Sequence, residues 1–431
     1  MRKMKYSGIP TVGNIPDRWS IPKIKHHAVF FNGDRSSNYP SGDEIVSLGV
    51  PFITSDNIHD IVLDCNRNKN KYITREKYES LRGAKIKLND IIYCLRGSLG
   101  ACAINKSITE GTVASSLVVI RAKSTLVPDY FNYFLHSQVV NSQVDEYMNG
   151  SCAANLSAES VGSFFLILPP EEEQFQIVDY LDNKCSKIDE AISRHNTIIE
   201  KLEEYKRATI IYKVSHTDKN VEYVDSNIPW MPTKPKTWKT LPLKYAVTQR
   251  INKNTDMCEK NLLTLSYGEI KRKNIETNEG LLPASFEGYN IIEKGDIVLR
   301  LLDLQNDTHS LRTGLVTERG IITSAYVTIT PSSVFDSMYC RYLLHAYDLM
   351  KVLYTMGEGV RQSLSFDELS RKTLVLVPPI DEQRKIAKDI SIMESNVNEA
   401  IARMLKNIEK LKEYKKSLIY NAVTGKIDCR K

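Results

Sequence analysis

Three segments of this chain recur at a single spacing, and that repeat constrains the fold more than any other feature. "ILPPEEEQFQIVDYL" at Ile167–Leu181 resembles "LVPPIDEQRKIAKDI" at Leu376–Ile390. "IDEAI" from Ile188 resembles "VNEAI" from Val397, and "KLEEYKRATIIYKV" from Lys201 resembles "KLKEYKKSLIYNAV" from Lys410. The offsets agree: 379−170, 397−188 and 410−201 all give 209. One register held over about 50 residues marks an internal repeat. The halves also begin alike, Pro16 matching Pro235 and Trp19 matching Trp238, with 238−19 = 219. Between these frames, Val29–Ile108 and Gln249–Val316 align poorly. A common frame around divergent middles implies two modules doing one job on two different targets.

Glu171–Ser215 and Asp381–Val423 contain neither Gly nor Pro, and each follows a Pro-Pro pair. Proline suits a helix start and resists helix before it. Glu171–Glu173, Asp381 and Glu382 fall in the first turns, and Lys206, Arg207, Lys415 and Lys416 near the far ends, as the helix dipole favours. The apolar spacing fits a heptad. Its a positions are Val178, Cys185, Ile192, Ile199 and Lys206, and its d positions Leu181, Ile188, His195, Leu202 and Thr209. In the second copy these become Ala387, Glu394, Ile401, Ile408 and Lys415, with Ile390, Val397, Met404, Leu411 and Leu418. So narrow a seam is what one helix buries against another. About 43 residues would span about 65 Å at 1.5 Å per residue. The favoured arrangement is an antiparallel pair whose seams bury each other. The alternative is two separate amphipathic helices, each lying on its own body.

Each body mixes β-branched runs with turns. Expected strands are Pro51–Ser55, Asp90–Leu95, Ser115–Arg121 and Phe164–Leu168, with counterparts Leu262–Tyr267, Asp296–Leu301, Ser324–Thr330 and Leu374–Val377. A helix is expected after the third strand of each copy, at Asp129–Ser142 and Asp336–Met350. The fold class is therefore α+β: two mixed α/β bodies separated by two long antiparallel coiled-coil helices, with an internal pseudo-twofold repeat. The expected boundaries are 1–170, 171–215, 216–379, 380–425 and a tail at 426–431.

The chain carries 58 Lys+Arg against 52 Asp+Glu, a net charge of +6, so any polyanion site must be local. Eight cysteines without a CxxC pair exclude a zinc ribbon or thioredoxin-type site and suit reduced, mostly buried thiols in a cytoplasmic protein. The N-terminus has no apolar secretory core, and the longest apolar runs fall well short of a membrane span. No phosphate-cradling GxxxxGK[ST], HExxH, GxSxG or HRD/DFG set appears, and no FxGxG joined to [DN]PP[YF]. The adjacent His26 and His27 lack a carboxylate partner at a ligand spacing. No catalytic residue, metal or cofactor is expected.

Binding chemistry is visible instead. "CNRNKNKYITREK" supplies Arg67, Lys69, Lys71 and Arg75, "EIKRKN" supplies Lys271, Arg272 and Lys273, and "KIKHH" adds Lys23 and Lys25. Such cations neutralise phosphates with release of counterions. Base reading needs donors and acceptors on loops. Arg96 and Ser98 follow a strand on a Gly-rich turn, and Arg300, Gln305, Asn306 and Arg312 occupy the longer counterpart. "MNGSCAANLS" and "MGEGVRQSLS" add Asn149, Asn155, Arg361 and Gln362. Arg pairs bidentately with guanine, and Asn and Gln with adenine.

The combination of Ile15-Pro16…Trp19 and Trp238, Leu168-Pro169-Pro170…Gln174, Val377-Pro378-Pro379…Glu382-Gln383, and the runs Lys201–Lys206 and Lys410–Lys415 resembles the specificity subunits of type I restriction–modification enzymes. One frame residue departs, Lys234 preceding Pro235 where the first copy has Ile15. The resemblance covers almost the whole chain. It implies two target recognition domains, each reading one half of a bipartite sequence in double-stranded DNA, with helices that set the gap. It also implies docking of two methyltransferase (modification) subunits and association with restriction/translocase subunits, with no membrane partner. Rival readings are a self-sufficient nuclease or methyltransferase, a coiled-coil scaffold with protein-binding end domains, and a recognition subunit serving a methyltransferase without restriction. Modularity has a direct check. Exchanging Val29–Ile108 alone for a divergent counterpart should change one half-site and leave the other intact, read by methylome mapping. An unchanged recognition sequence would refute it.

Overall fold

The computed structural model describes residues 2–430 apart from Arg35, Ser37, Asn38, Asp60, 65–69, 150–154, 218–219, 274–284, 305–310 and 358–362. Contacts divide the chain into two compact units, Met1–His195 with Lys406–Lys431, and Asn196–Leu405. Each of the two long helices, Glu171–Ser215 and Ile380–Val423, contributes to both units.

The first unit opens with hairpin β1 (Met4–Tyr6) and β2 (Asn14–Pro16). Its principal sheet is antiparallel, in the order β3 (Ala28–Asn32), β10 (Leu117–Ala122), β7 (Ile91–Cys94) and β8 (Cys102–Ile104). A second sheet has the order β4 (Ile45–Val46), β6 (Lys71–Ile73), β5 (Val50–Ile53) and β9 (Thr112–Val113), with β5 parallel to β9.

The second unit rebuilds this plan. Hairpin β11 (Tyr223–Asp225) and β12 (Thr233–Pro235) pairs as β1 and β2 do, at offset 219. Strand β13 (Lys239–Pro242) pairs with β22 (Leu374–Val377). The principal sheet has the order β14 (Val247–Gln249), β21 (Val327–Pro331), β18 (Ile297–Leu299) and β19 (Thr313–Leu315), matching β3, β10, β7 and β8. The second sheet is replaced by two pairs, β15 (Leu263–Ser266) with β16 (Glu269–Arg272), and β17 (Asn290–Ile292) with β20 (Gly320–Ile322).

Two expectations are corrected. Phe164–Leu168 makes only isolated bridges, Ser20 with Leu168 and Lys23 with Phe165. Its counterpart β22 is a full strand because Leu241 donates where Pro22, lacking an N–H, interrupts the ladder. The helix expected at Asp129–Ser142 is two helices, Pro128–Leu135 and Gln138–Asn149, whereas Ser337–Leu349 is unbroken. The break sits at Ser137, whose hydroxyl donates to the Phe134 carbonyl at 2.6 Å and so competes with the helical pattern.

The helical seam is buried within each unit. In the first, Leu181, Cys185 and Ile188 share a core with Leu418, Ile419 and Val423, and Lys415 Nζ meets the Asp189 carboxylate at 2.7 Å. In the second, Ile210 and Val214 share a core with Ile386, Ala387 and Ile390, and Lys206 Nζ reaches Asn398 at 3.1 Å. The residue numbers of both polar pairs sum to 604 (189 + 415, 206 + 398), the mark of antiparallel helices in one register. The separate-helix arrangement is thereby excluded.

A glutamine welds each helix start to its body. Gln174, fully buried, accepts from Val127 N at 2.8 Å and donates to the carbonyls of Pro169 at 3.0 Å and Thr125 at 3.2 Å. Gln383, 209 residues on, accepts from Asp336 N and donates to the carbonyls of Val334 and Pro378, each at 2.8 Å. Trp19 and Trp238 are each 1% exposed, and Trp19 Nε1 donates to the Glu173 carboxylate at 2.9 Å. Gly425 follows the second long helix at φ +70°, where a Cβ would lie 2.4 Å from Pro16. That close approach and left-handed backbone both require glycine. Removing Gln383 strands two carbonyls and one N–H. Gln383→Ala should destabilise the second unit by about 3 kcal/mol, seen as lost amide-exchange protection across Asn196–Leu405 with the first unit's slowest amides unchanged.

Candidate nucleic-acid interface

The expected DNA-contacting residues separate into three groups. Lys71, Arg96, Ser98, Asn155, Lys271, Arg272 and Arg300 are exposed. Arg67, Lys69, Gln305, Asn306, Arg361 and Gln362 lie outside the described residues, as does the side chain of Asn149, the last residue of its helix. Arg312 is buried, at 2% exposure.

Arg96 and Ser98 flank Gly97, at φ +75°, on the turn that leaves β7, and Gly100 follows at φ +79°. Those conformations suit glycine and turn the chain sharply after a buried strand. The equivalent turn after β18 places Asp303 at φ +51°, where a non-glycine residue is disfavoured. Arg312 supplies what holds it. Its guanidinium donates to the carbonyls of Arg300 at 3.0 Å, Leu302 at 2.7 Å and Asp303 at 2.8 Å, and lies 3.9 Å from the Asp348 carboxylate. Arg312 therefore does not stand on an exposed loop as expected. It braces, from inside, the turn that leaves Arg300 on the surface.

Other cations of the basic runs have carboxylate partners. Arg75 makes a bidentate pair with Glu110 at 2.6 and 2.9 Å, and Lys271 pairs with Glu269 at 3.0 Å. Arg272 Nε donates to Glu318 at 2.7 Å, and that hydrogen bond holds the Glu318 carboxyl below its ordinary pKa. Such exposed pairs are weak and exchange readily for phosphate contacts.

Among the described residues, two buried titratable groups are held in their neutral forms. Cys102 Sγ lies 3.6 Å from His136 Nδ1, but burial raises that thiol's pKa well above its usual value, away from the thiolate a nucleophile needs. His345 is buried and held neutral, its pKa pushed down to about 3 by desolvation and by Arg341, Lys206 and Arg207. Five of the six described cysteines are buried, Cys258 being exposed. Among the described residues no His/Cys/Asp/Glu group could hold a metal ion, and no helix is long and apolar enough to cross a membrane.

One exposed aromatic escaped the sequence reading. Tyr267 was expected to end a strand, yet it forms the exposed tip of the β15–β16 hairpin. Gly268 was the signal available for a turn there.

The contrast between Arg300 and Arg312 is testable. Arg312→Ala removes the guanidinium from beside buried Asp348 and from three carbonyls, and should destabilise the second unit by about 3–5 kcal/mol. Arg300→Ala should change stability by no more than about 0.5 kcal/mol while weakening duplex binding. Thermal melts paired with fluorescence anisotropy separate the two effects.

Residues 37–204 match the type I restriction modification DNA specificity domain. Over 199 residues the chain is 23% identical to the type I restriction enzyme EcoBI specificity subunit of Escherichia coli, an alignment covering 44% of this chain and 41% of that subunit. In three dimensions the chain is similar to a chain from a structure describing complex assembly and conformational transition of the type I R-M system. The TM-score is 0.70 at 12% identity, over 96% of this chain and 99% of that one. It is also similar to the HsdS subunit from Thermoanaerobacter tengcongensis, with TM-score 0.54, 14% identity and coverage of 96% and 98%. Residues 37–204 are thus similar in sequence to the type I restriction modification DNA specificity domain, and nearly the whole chain is similar in fold to chains of type I R-M systems.

Proposed function

We propose that this chain is the non-catalytic DNA sequence-recognition subunit of a type I restriction–modification complex. Each body reads one half of a bipartite duplex target. The paired helices fix the gap between half-sites and dock two methyltransferase subunits, to which restriction/translocase subunits add in the cytoplasm. The observation that carries this reading is the duplicated plan: two principal sheets of one strand order, each welded by a buried glutamine to the start of a long helix. A duplicated frame with divergent surfaces suits a protein that presents two different readers at a fixed spacing. The resemblance to named specificity subunits supports the same reading.

A rod that sets spacing acts as a ruler. Four residues inserted at opposing points of both long helices lengthen it by about 6 Å, near two base-pair steps at about 3.4 Å each. In a host carrying this gene with its modification partner, the methylated motif should keep both half-sites and widen its gap. A gap that stays constant would overturn the ruler role. Duplex binding should also weaken steeply with salt, by roughly one power of salt concentration per phosphate neutralised.

A further inference from the structure

We propose that the hairpin Leu263–Arg272 is a two-stranded ribbon that enters the major groove of the half-site read by the second unit, with Tyr267 as its leading contact. The inference rests on the DNA-recognition reading above and adds the element and the residue that do the reading.

The tip is strained without internal compensation. Tyr267 and Gly268, the two central residues of the turn, have φ +51° and +79°. Two positive φ values define the hairpin turn that favours Asn-Gly, and a bulky aromatic at the first position is an outlier. Burial does not offset that strain. Tyr267 is 82% exposed, more than any other large apolar side chain among the described residues. No hydrogen bond or ring contact joins its side chain to another described residue. Strain held at an exposed aromatic points to a partner outside the chain.

The hairpin is firmly seated. Leu265 and Ile270 pack on the cluster of Leu263, Ile292, Val298, Val316 and Ile322. Gly314 in β19 permits this, since a Cβ there would lie 2.6 Å from Leu265 Cδ1 and 2.9 Å from Ile270 Cδ1. With Leu263, Leu265 and Ile270 turned inward, strand alternation turns Thr264, Ser266, Glu269 and Lys271 outward. That face carries the hydroxyls of Thr264 and Ser266 and the Lys271 ammonium, which pairs with Glu269 at 3.0 Å in an exposed bridge that can exchange for a phosphate or base acceptor, beside an aromatic tip. A major groove admits a two-stranded ribbon, and it offers base acceptors to such donors and thymine methyls to a ring.

The place in the fold also fits a reader. A bridge sets Leu262 beside Ile321 in parallel, as Phe52 stands beside Thr112 in the first unit, and 321−112 = 209. Strands β15 and β16 therefore correspond to β5 and β6. The second copy joins its strands by the two residues Tyr267 and Gly268, whereas the first joins them through 54–70, which carries Arg67 and Lys69. The copies thus differ sharply at one structural position, as readers of different half-sites should.

The test uses the full chain and the duplexes it enriches from a random pool, followed by fluorescence anisotropy and thermal melting. Y267G and Y267N both tolerate the left-handed backbone. Each should melt at or above the wild-type temperature, bind the enriched duplex about tenfold more weakly, and lose preference at one half-site only. Y267F keeps the ring and should retain most of the affinity. Wild-type affinity and preference in Y267G and Y267N would overturn the assignment to Tyr267. If the wild-type chain enriches no sequence, the DNA-recognition reading falls and this inference with it.

Discussion

A helix as long as Glu171–Ser215 exposes an apolar stripe along its whole length, and propensity alone does not hold such a helix in water. The stripe must be covered. In each unit the cover is the other long helix, running antiparallel, and both polar pairs across the seam obey the same residue sum. Every a and d residue of the heptads is buried or partly buried. The positions that interrupt the apolar pattern have roles at its edge. Lys415 reaches Asp189 and Lys206 reaches Asn398, so two lysines that break the stripe pin its register. Apolar burial supplies the adhesion, and the polar pairs choose among possible alignments.

A covered seam orients nothing unless each helix is rigidly attached to a body, which is the role of the Gln174 and Gln383 clamps. Each amide satisfies backbone groups on both sides of the junction, and each is sealed from water, where such bonds are hardest to exchange. The frame tolerates change where partners change together. In the first unit buried Asp90 is held by Arg121 on β10, which also stacks over Phe31. In the second, buried Asp296 is held by Arg250 beside β14 and by Thr330, the residue 209 positions after Arg121. The guanidinium has moved to the neighbouring strand while the aspartate keeps its partner.

The legible part of this sequence was the part whose physics is periodic. A heptad states which face is covered, and a fixed offset states that two halves share a plan, so the long helices and the duplicated sheets could be read from Val178, Leu181 and their counterparts. Propensity failed where one backbone group decided the outcome. Pro22 turns a strand into isolated bridges, and Ser137 divides a helix by bonding the Phe134 carbonyl. Among the candidate contacts, composition flagged cations without distinguishing their surroundings. Arg300 and Arg312 sit in the same run of sequence, yet one is exposed and the other is enclosed by three carbonyls and a carboxylate. Only the path of the turn at Asp303 separates them.

That separation bears on which residues of such a frame are free to change. A surface arginine such as Arg300 can be exchanged at little cost to folding. A buried arginine that braces the turn is tied to stability, because its loss strips three carbonyls of their donor and takes a cation from beside buried Asp348. Surface arginine and brace are thus under different constraints although only twelve positions part them (312 − 300). A chain that duplicates the sheets and the glutamine clamp and lets the exposed turns diverge presents two different surfaces on one fold. The repeated frame around Val29–Ile108 and Gln249–Val316 has that form.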